Sequence, residues 1–115
     1  MLILALFLYW RFGGAKSPDM AGNSQIIFFY GRECPHCQIV EEFLAKNGVD
    51  KKISFEMAEV YHNDNNRKIY AEKYKSCGVA DEKNMGVPML WAEGKCYVGQ
   101  EEVINFFKNK MGTGN

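Results

Sequence analysis

The sequence carries no surplus of charge of either sign. Its 14 Lys and Arg offset 14 Asp and Glu, so it lacks the cationic excess that drives binding to a phosphate backbone, and nucleic acid is not an expected partner. Histidine is scarce, with two in the chain, His36 and His62. A structural zinc site normally takes four ligands, commonly two cysteine pairs or one pair with two histidines. Beyond one cysteine pair the chain offers only the isolated Cys77, Cys96, His36 and His62, so neither a metal nor another cofactor is expected. No apolar run reaches the roughly 20 residues of a bilayer-spanning helix. Internal repeats and low-complexity blocks are missing as well. At 115 residues there is room for one small domain with a single core, and a monomer is expected.

What is present falls into distinct segments. Residues 1–12, "MLILALFLYWRF", hold an apolar run from Leu2 to Trp10 that Arg11 ends. That run fits the about 7–15 residues of a signal-peptide apolar region better than a span, and Gly13 and Ala15 supply small residues for a cleavage point. A positive leading segment is missing, and Arg11 and Lys16 follow the run, against the positive-inside bias. An uncleaved anchor, a cleaved signal and a buried or disordered extension all remain open. Membrane association through this segment is possible, and the cell envelope, on its extracytoplasmic face, is the expected location, with the cytoplasm as the alternative. Residues 13–24, "GGAKSPDMAGNS", form a flexible linker rich in Gly, Ser and Pro. Residues 25–111 form the domain, and 112–115 a short tail.

Within the domain, "IIFFY" has the length and β-prone composition of a strand buried on both faces. Pro35 suits the first turn of a helix, and Ile39, Val40, Phe43 and Leu44 recur at helical spacing until Gly48. A second strand is predicted around Ile53 to Met57. "HNDNN" offers caps for a helix running toward Cys77, stopped by Gly78. "VPMLW" and "CYVG" flank the turn "AEGK" as a hairpin, and an amphipathic helix from about Gln100 carries Val103, Ile104, Phe106 and Phe107. The order βαβαββα implies an α/β fold with a mixed four-stranded sheet and helices on its faces, the helix-linked strands being parallel.

That order gives "CPHC" its chemistry. Cys34 falls at a helix N-terminus, where unpaired N–H groups and the positive end of the helix dipole favour an anion, here a thiolate. His36 can add positive charge or a hydrogen bond. Such settings lower a cysteine pKa from about 8.5 into the range of roughly 3.5–7.5. Cys37, one turn further and more buried, is the natural resolving thiol. Three alternatives stay open: a metal-binding pair, a purely structural bridge, although so short a loop gains little stability, and a redox-inactive docking module of the same fold.

"FFYGRECPHC", "GVPML" and "GKCYVGQEEVINFF" together resemble the thioredoxin and glutaredoxin superfamily over nearly all of residues 25–110. The resemblance implies the three-layer thioredoxin-like fold and a thiol–disulfide oxidoreductase acting on protein thiols and disulfides with a further redox partner. It implies that Pro88 is cis and faces the cysteines, and that Val87 offers its backbone to substrate. "CPHC" is similar to the motif of bacterial periplasmic disulfide oxidases, which favours oxidase or isomerase over reductase. The chain length is glutaredoxin-like, which keeps a cytosolic reductase as the alternative. Where glutaredoxins bind glutathione with a Gly-Gly and an acidic pair, "VGQEEV" has the single Gly99, which weakens the expectation of glutathione. The buried acid that thioredoxins carry six residues before the first cysteine is Phe28 here, while Glu33 is expected to be solvated.

Cys77 and Cys96 both fall at the end of the sheet opposite "CPHC" and could form a second disulfide or remain separate thiols. An even count of four cysteines fits an oxidising compartment. Trp91 and Phe28, Phe29, Phe43, Phe106 and Phe107 are expected in the core. Tyr30 is divided between lining a substrate groove and packing, and His62 is expected in a capping loop.

Overall fold

The structure is a computed structural model, and it describes residues 25–112. The apolar segment 1–12, the linker 13–24 and all of the tail after Gly112 lie outside the described residues. The central strand β1 (Ile26–Tyr30) is apolar throughout because both of its faces are covered. Ile26 and Phe28 join one core, with Val40, Leu44, Leu90, Val103 and Phe107. Ile27 and Phe29 join a second core with Ala58, Val60, Tyr74 and Met89. Each fully buried phenylalanine contributes about 1.5–3 kcal/mol by leaving water.

The helix α1 (Pro35–Lys46) follows, with Pro35 in its first turn and Cys37, Val40 and Leu44 on its buried stripe. Gly48 ends the pattern, but its left-handed backbone (φ 56°) at once begins a further short helix, α2 (Val49–Lys52), that the sequence pattern did not announce. The second strand, β2 (Glu56–Glu59), accordingly starts later than the predicted Ile53. Ile53 and Phe55 still reach the first core, from the connection rather than from a strand. Their apolar character reports burial, which a tethered loop satisfies as well as a strand does.

The helix α3 (Asp64–Ser76) is capped by the Asn63 side chain, which accepts from the Asn66 N–H at 2.9 Å. A 3-10 turn at Glu82–Asn84 leads into the hairpin β3 (Met89–Ala92) and β4 (Lys95–Val98), and α4 (Gln100–Met111) closes the chain, burying Val103 and Phe107. The sheet order is β2-β1-β3-β4, with β1 and β2 parallel and the other neighbours antiparallel. Helices α1 and α4 share one core and α3 lies against the other, so the three layers are helix, sheet, helix. This is the thioredoxin-like fold. Among the described residues no helix is long and apolar enough to cross a membrane.

Candidate active site

The chain leaves β1 at Tyr30 and turns tightly, the Cys34 N–H donating to the Gly31 carbonyl at 3.1 Å. Cys34 is the N-cap of α1, in extended conformation, and its Sγ accepts the N–H of Cys37 at 3.1 Å. The sulfur thus sits where the unpaired N–H groups of the helix converge, and an anion formed there is held both by the dipole and by a direct hydrogen bond. Cys34 and Cys37 are joined by a disulfide. Cys34 is less exposed than its place at the helix end suggested: it is 4% exposed, against 0% for Cys37. The reason is the loop before β3, whose Val87 carbonyl oxygen lies 3.9 Å from Cys34 Sγ. The Val87–Pro88 peptide is cis, and the Pro88 side chain is fully buried.

His36 is hydrogen-bonded to the last helix. Its Nδ1 donates to Gln100 Oε1 at 2.9 Å, tying the first turn of α1 to the first turn of α4. Gly99, with φ 99°, precedes that turn and donates its N–H to the Pro88 carbonyl at 2.9 Å. That N–H is therefore already engaged in holding the proline loop. Tyr30 is half-buried, stacks on Phe28 with centroids 5.7 Å apart and packs against the first core. Burial raises its phenol pKa, and the carboxylates of Glu41 and Glu59 raise it further. Burial also raises the pKa of Glu41.

A second loop supports the first, and nothing in the sequence pattern marked it. Glu59 Oε2 accepts the N–H groups of Arg32 at 2.9 Å and Tyr61 at 3.1 Å, while Oε1 accepts that of His62 at 2.8 Å. Partial burial works against its charge, but these three N–H groups and the nearby His62 outweigh it and hold the carboxyl below the usual range. Glu33, expected to be solvated, pairs with His62 Nε2 at 2.9 Å. The Tyr61 ring lies so close over Gly31 that a Cβ there would meet it at 2.5 Å. Glu33, Glu59 and His62 bring one ligand atom each within 4.8 Å of one another, yet the Glu59 oxygens already serve three N–H groups and Glu33 serves His62. The cluster is a latch between the β1–α1 and β2–α3 loops.

At the other end of the sheet, Cys77 caps the C-terminus of α3 and is bridged to Cys96 on β4. The two have Cα atoms 6.2 Å apart, and both are half-buried. With two bridged pairs at opposite ends and the histidines engaged elsewhere, the described cysteines do not gather into a four-ligand metal set. Trp91, opposite Cys96 in the β3–β4 register, is only half-buried; its ring lies under Lys73 Nζ at 4.0 Å, and its buried Nε1 has no hydrogen-bond partner. Phe28, Phe29 and Phe107 are fully buried, whereas Phe43 and Phe106 are only partly so.

The fold and the Cys-X-X-Cys pair define a glutaredoxin-like architecture, and solved structures agree. The holo form of glutaredoxin C1 from Populus tremula x tremuloides superposes with a TM-score of 0.52 at 18% identity, covering 81% of each chain. A buckwheat glutaredoxin–glutathione complex gives 0.52 at 17% identity, over 81% of this chain and 74% of that one. A glutaredoxin from Archaeoglobus fulgidus gives 0.52 at 21% identity, over 81% and 96%. No protein-family model matches the sequence, and no curated protein matches it either.

Proposed function

We propose that this chain is a thiol–disulfide oxidoreductase that exchanges disulfides with protein cysteines through Cys34 and Cys37, in the oxidising direction. The observation that carries the reading is Cys34 at the N-cap of α1 with its sulfur accepting the Cys37 N–H. A substrate thiolate attacks Cys34 Sγ, the Cys34–Cys37 bond breaks, and Cys37 leaves as a thiolate that takes up a proton. The second substrate thiolate then attacks the substrate sulfur of the mixed disulfide and expels Cys34. The substrate has lost two electrons and the cysteine pair has gained them. A stabilised Cys34 thiolate is a good leaving group, and stabilising the reduced form makes the disulfide oxidising. Two disulfides and the apolar residues 2–10 support a site of action at the extracytoplasmic face of the cell envelope.

A second reading, a glutathione-linked reductase, draws on the glutaredoxin neighbours, one of them solved with glutathione. Against it stand the single Gly99 and the engagement of its N–H with Pro88. Trapping, run in the reverse direction from a protein disulfide, tests which sulfur carries the mixed disulfide that both directions share. Cys37→Ser, incubated with a protein disulfide, should accumulate a mixed disulfide through Cys34, because the resolving thiol is gone, and Cys34→Ser should accumulate none. Equal trapping by both variants contradicts the assignment of Cys34 as the exchanging sulfur.

A further inference from the structure

All three long helices begin at the end of the sheet that carries Cys34. Helix α1 starts at Cys34 itself, α3 follows a loop whose Val60 N–H donates to Tyr30 O at 2.8 Å, and α4 starts where Gln100 meets His36. Acidic residues occupy the starts of α3 and α4, though not that of α1, and basic residues the opposite ends of all three. Asp64 lies in the first turn of α3, and Glu101 and Glu102 in that of α4, while Lys46, Lys73, Lys75 and Lys110 lie in last turns. Glu33 and Glu59 add to the acidic end through the latch. Helix dipoles account for this placement at a few tenths to about 1 kcal/mol each, but the sum has a further consequence: the surface around the disulfide carries more carboxylates than cations, although the sulfur itself lies at the positive end of α1.

Arg32, Arg67, Lys68 and Lys83 are the cations near that end, fewer than the carboxylates Glu33, Glu59, Asp64, Asp81, Glu82, Glu101 and Glu102. Arg67 also donates to the Val60 and Tyr61 carbonyls and pairs with Asp64, and the Lys83 N–H donates to Asp81 Oδ1 at 3.0 Å in the turn before the proline loop. Arg32 is the one guanidinium on the active-site loop. Exposed apolar side chains also stand at this end, on separate elements. Of the exposed large hydrophobic residues, Ile39 (43%) follows Pro35 on α1, Tyr61 (47%) covers Gly31, and Val98 (43%) precedes Gly99.

We propose that the disulfide-bearing end of this molecule docks cationic polypeptide, a segment that presents lysine or arginine beside its cysteine together with an apolar side chain. The inference rests on the exchange activity proposed above and adds the class of substrate. Carboxylates around the disulfide raise the encounter rate of a basic segment and repel an acidic thiol such as glutathione. The apolar residues supply contact area that a small thiol does not use.

The test uses the oxidised full chain and two synthetic two-cysteine peptides that differ only in carrying lysines or glutamates around the cysteines. The readout is the second-order rate of peptide oxidation, with dithiothreitol as an uncharged dithiol control. The lysine peptide should react at least about tenfold faster at low ionic strength, and the gap should close at about 0.5 M salt. The charge reversal Glu101→Lys should slow the lysine peptide, speed the glutamate peptide and leave dithiothreitol unchanged. Equal rates for the two peptides, or a faster glutamate peptide, overturn the inference while leaving the exchange activity standing. A chain that oxidises neither peptide nor dithiothreitol contradicts the exchange activity itself, and the docking inference falls with it.

Discussion

The molecule holds two disulfides of the same covalent chemistry in opposite electrostatic settings. Cys34 is at the N-terminus of a helix, with its sulfur accepting a backbone N–H. Cys77 is at the C-terminus of a helix, and Cys96 Sγ lies 3.5 Å from the carbonyl oxygen of Lys73. Reducing the first bond creates a thiolate where the dipole is positive, and reducing the second creates one where the dipole is negative and a carbonyl faces it. The topological difference runs the same way. The first bridge spans three positions along one helical turn, and the second spans 19 and ties α3 to the edge strand β4. On the proposed function one bond opens and the other constrains, and it is their places on the helices, rather than the cysteines themselves, that would separate the two roles.

The largest effect that sharpens this contrast is on exchange itself. Cys34→Ser should abolish oxidation of a model dithiol, whereas the double variant Cys77→Ala, Cys96→Ala should retain it, as followed by the rate of dithiol loss. Next comes stability. Closing a loop of about twenty residues contributes roughly 3 kcal/mol on the chain-entropy view, so the double variant should unfold at a distinctly lower denaturant midpoint. An unchanged midpoint would show that the far bridge constrains nothing.

Much of this contrast was legible in the chain before any coordinates. "IIFFY" read as a doubly buried strand because every residue in it is apolar, and "CPHC" after it with Pro35 placed the first sulfur at a helix start. Hydrophobic period and turn residues are local signals, and β1, α1, α3, the hairpin and α4 follow from them. Local signals also misled: Ile53 and Phe55 look like strand residues but are buried from a connection, and α2 is a four-residue helix too short to show a period. The latch was invisible for a different reason. Glu33 and His62 are 29 positions apart, and a pairing between two exposed loops leaves no pattern in either. The partnership of His36 with Gln100, 64 positions apart, escaped for the same reason. Whether Cys77 and Cys96 bond depended on where α3 ends relative to β4, which composition does not determine.

Smaller effects separate the contributions within the active end. Because His36 donates to Gln100 and not to sulfur, His36→Tyr should lower the Cys34–Cys37 potential by less than about 30 mV, which corresponds to 1.4 kcal/mol for this two-electron couple. Equilibration with glutathione buffers measures it, and a larger shift would make His36, rather than the helix terminus, the main source of thiolate stabilisation. The smallest expected effect concerns the latch. Glu59 has its carboxyl pKa lowered on folding, so it stabilises the native state above the usual carboxylate range, and this contribution is lost as pH falls from that range through the lowered value. Glu59→Gln should flatten that part of the profile of denaturant midpoint against pH. Superimposable profiles would mean that the three N–H groups gain nothing from the charge.

The most direct test of the contrast places both bonds on one scale. The oxidised protein is equilibrated across a series of redox buffers, quenched with acid, alkylated and mapped by mass, so that each disulfide is read separately. Cys34–Cys37 should be half-reduced at a potential more positive than the roughly −270 mV of thioredoxin, and Cys77–Cys96 should hold until below about −300 mV. If the two bonds open together, or Cys77–Cys96 opens first, the position of a cysteine on its helix does not decide which disulfide in this protein is the reactive one.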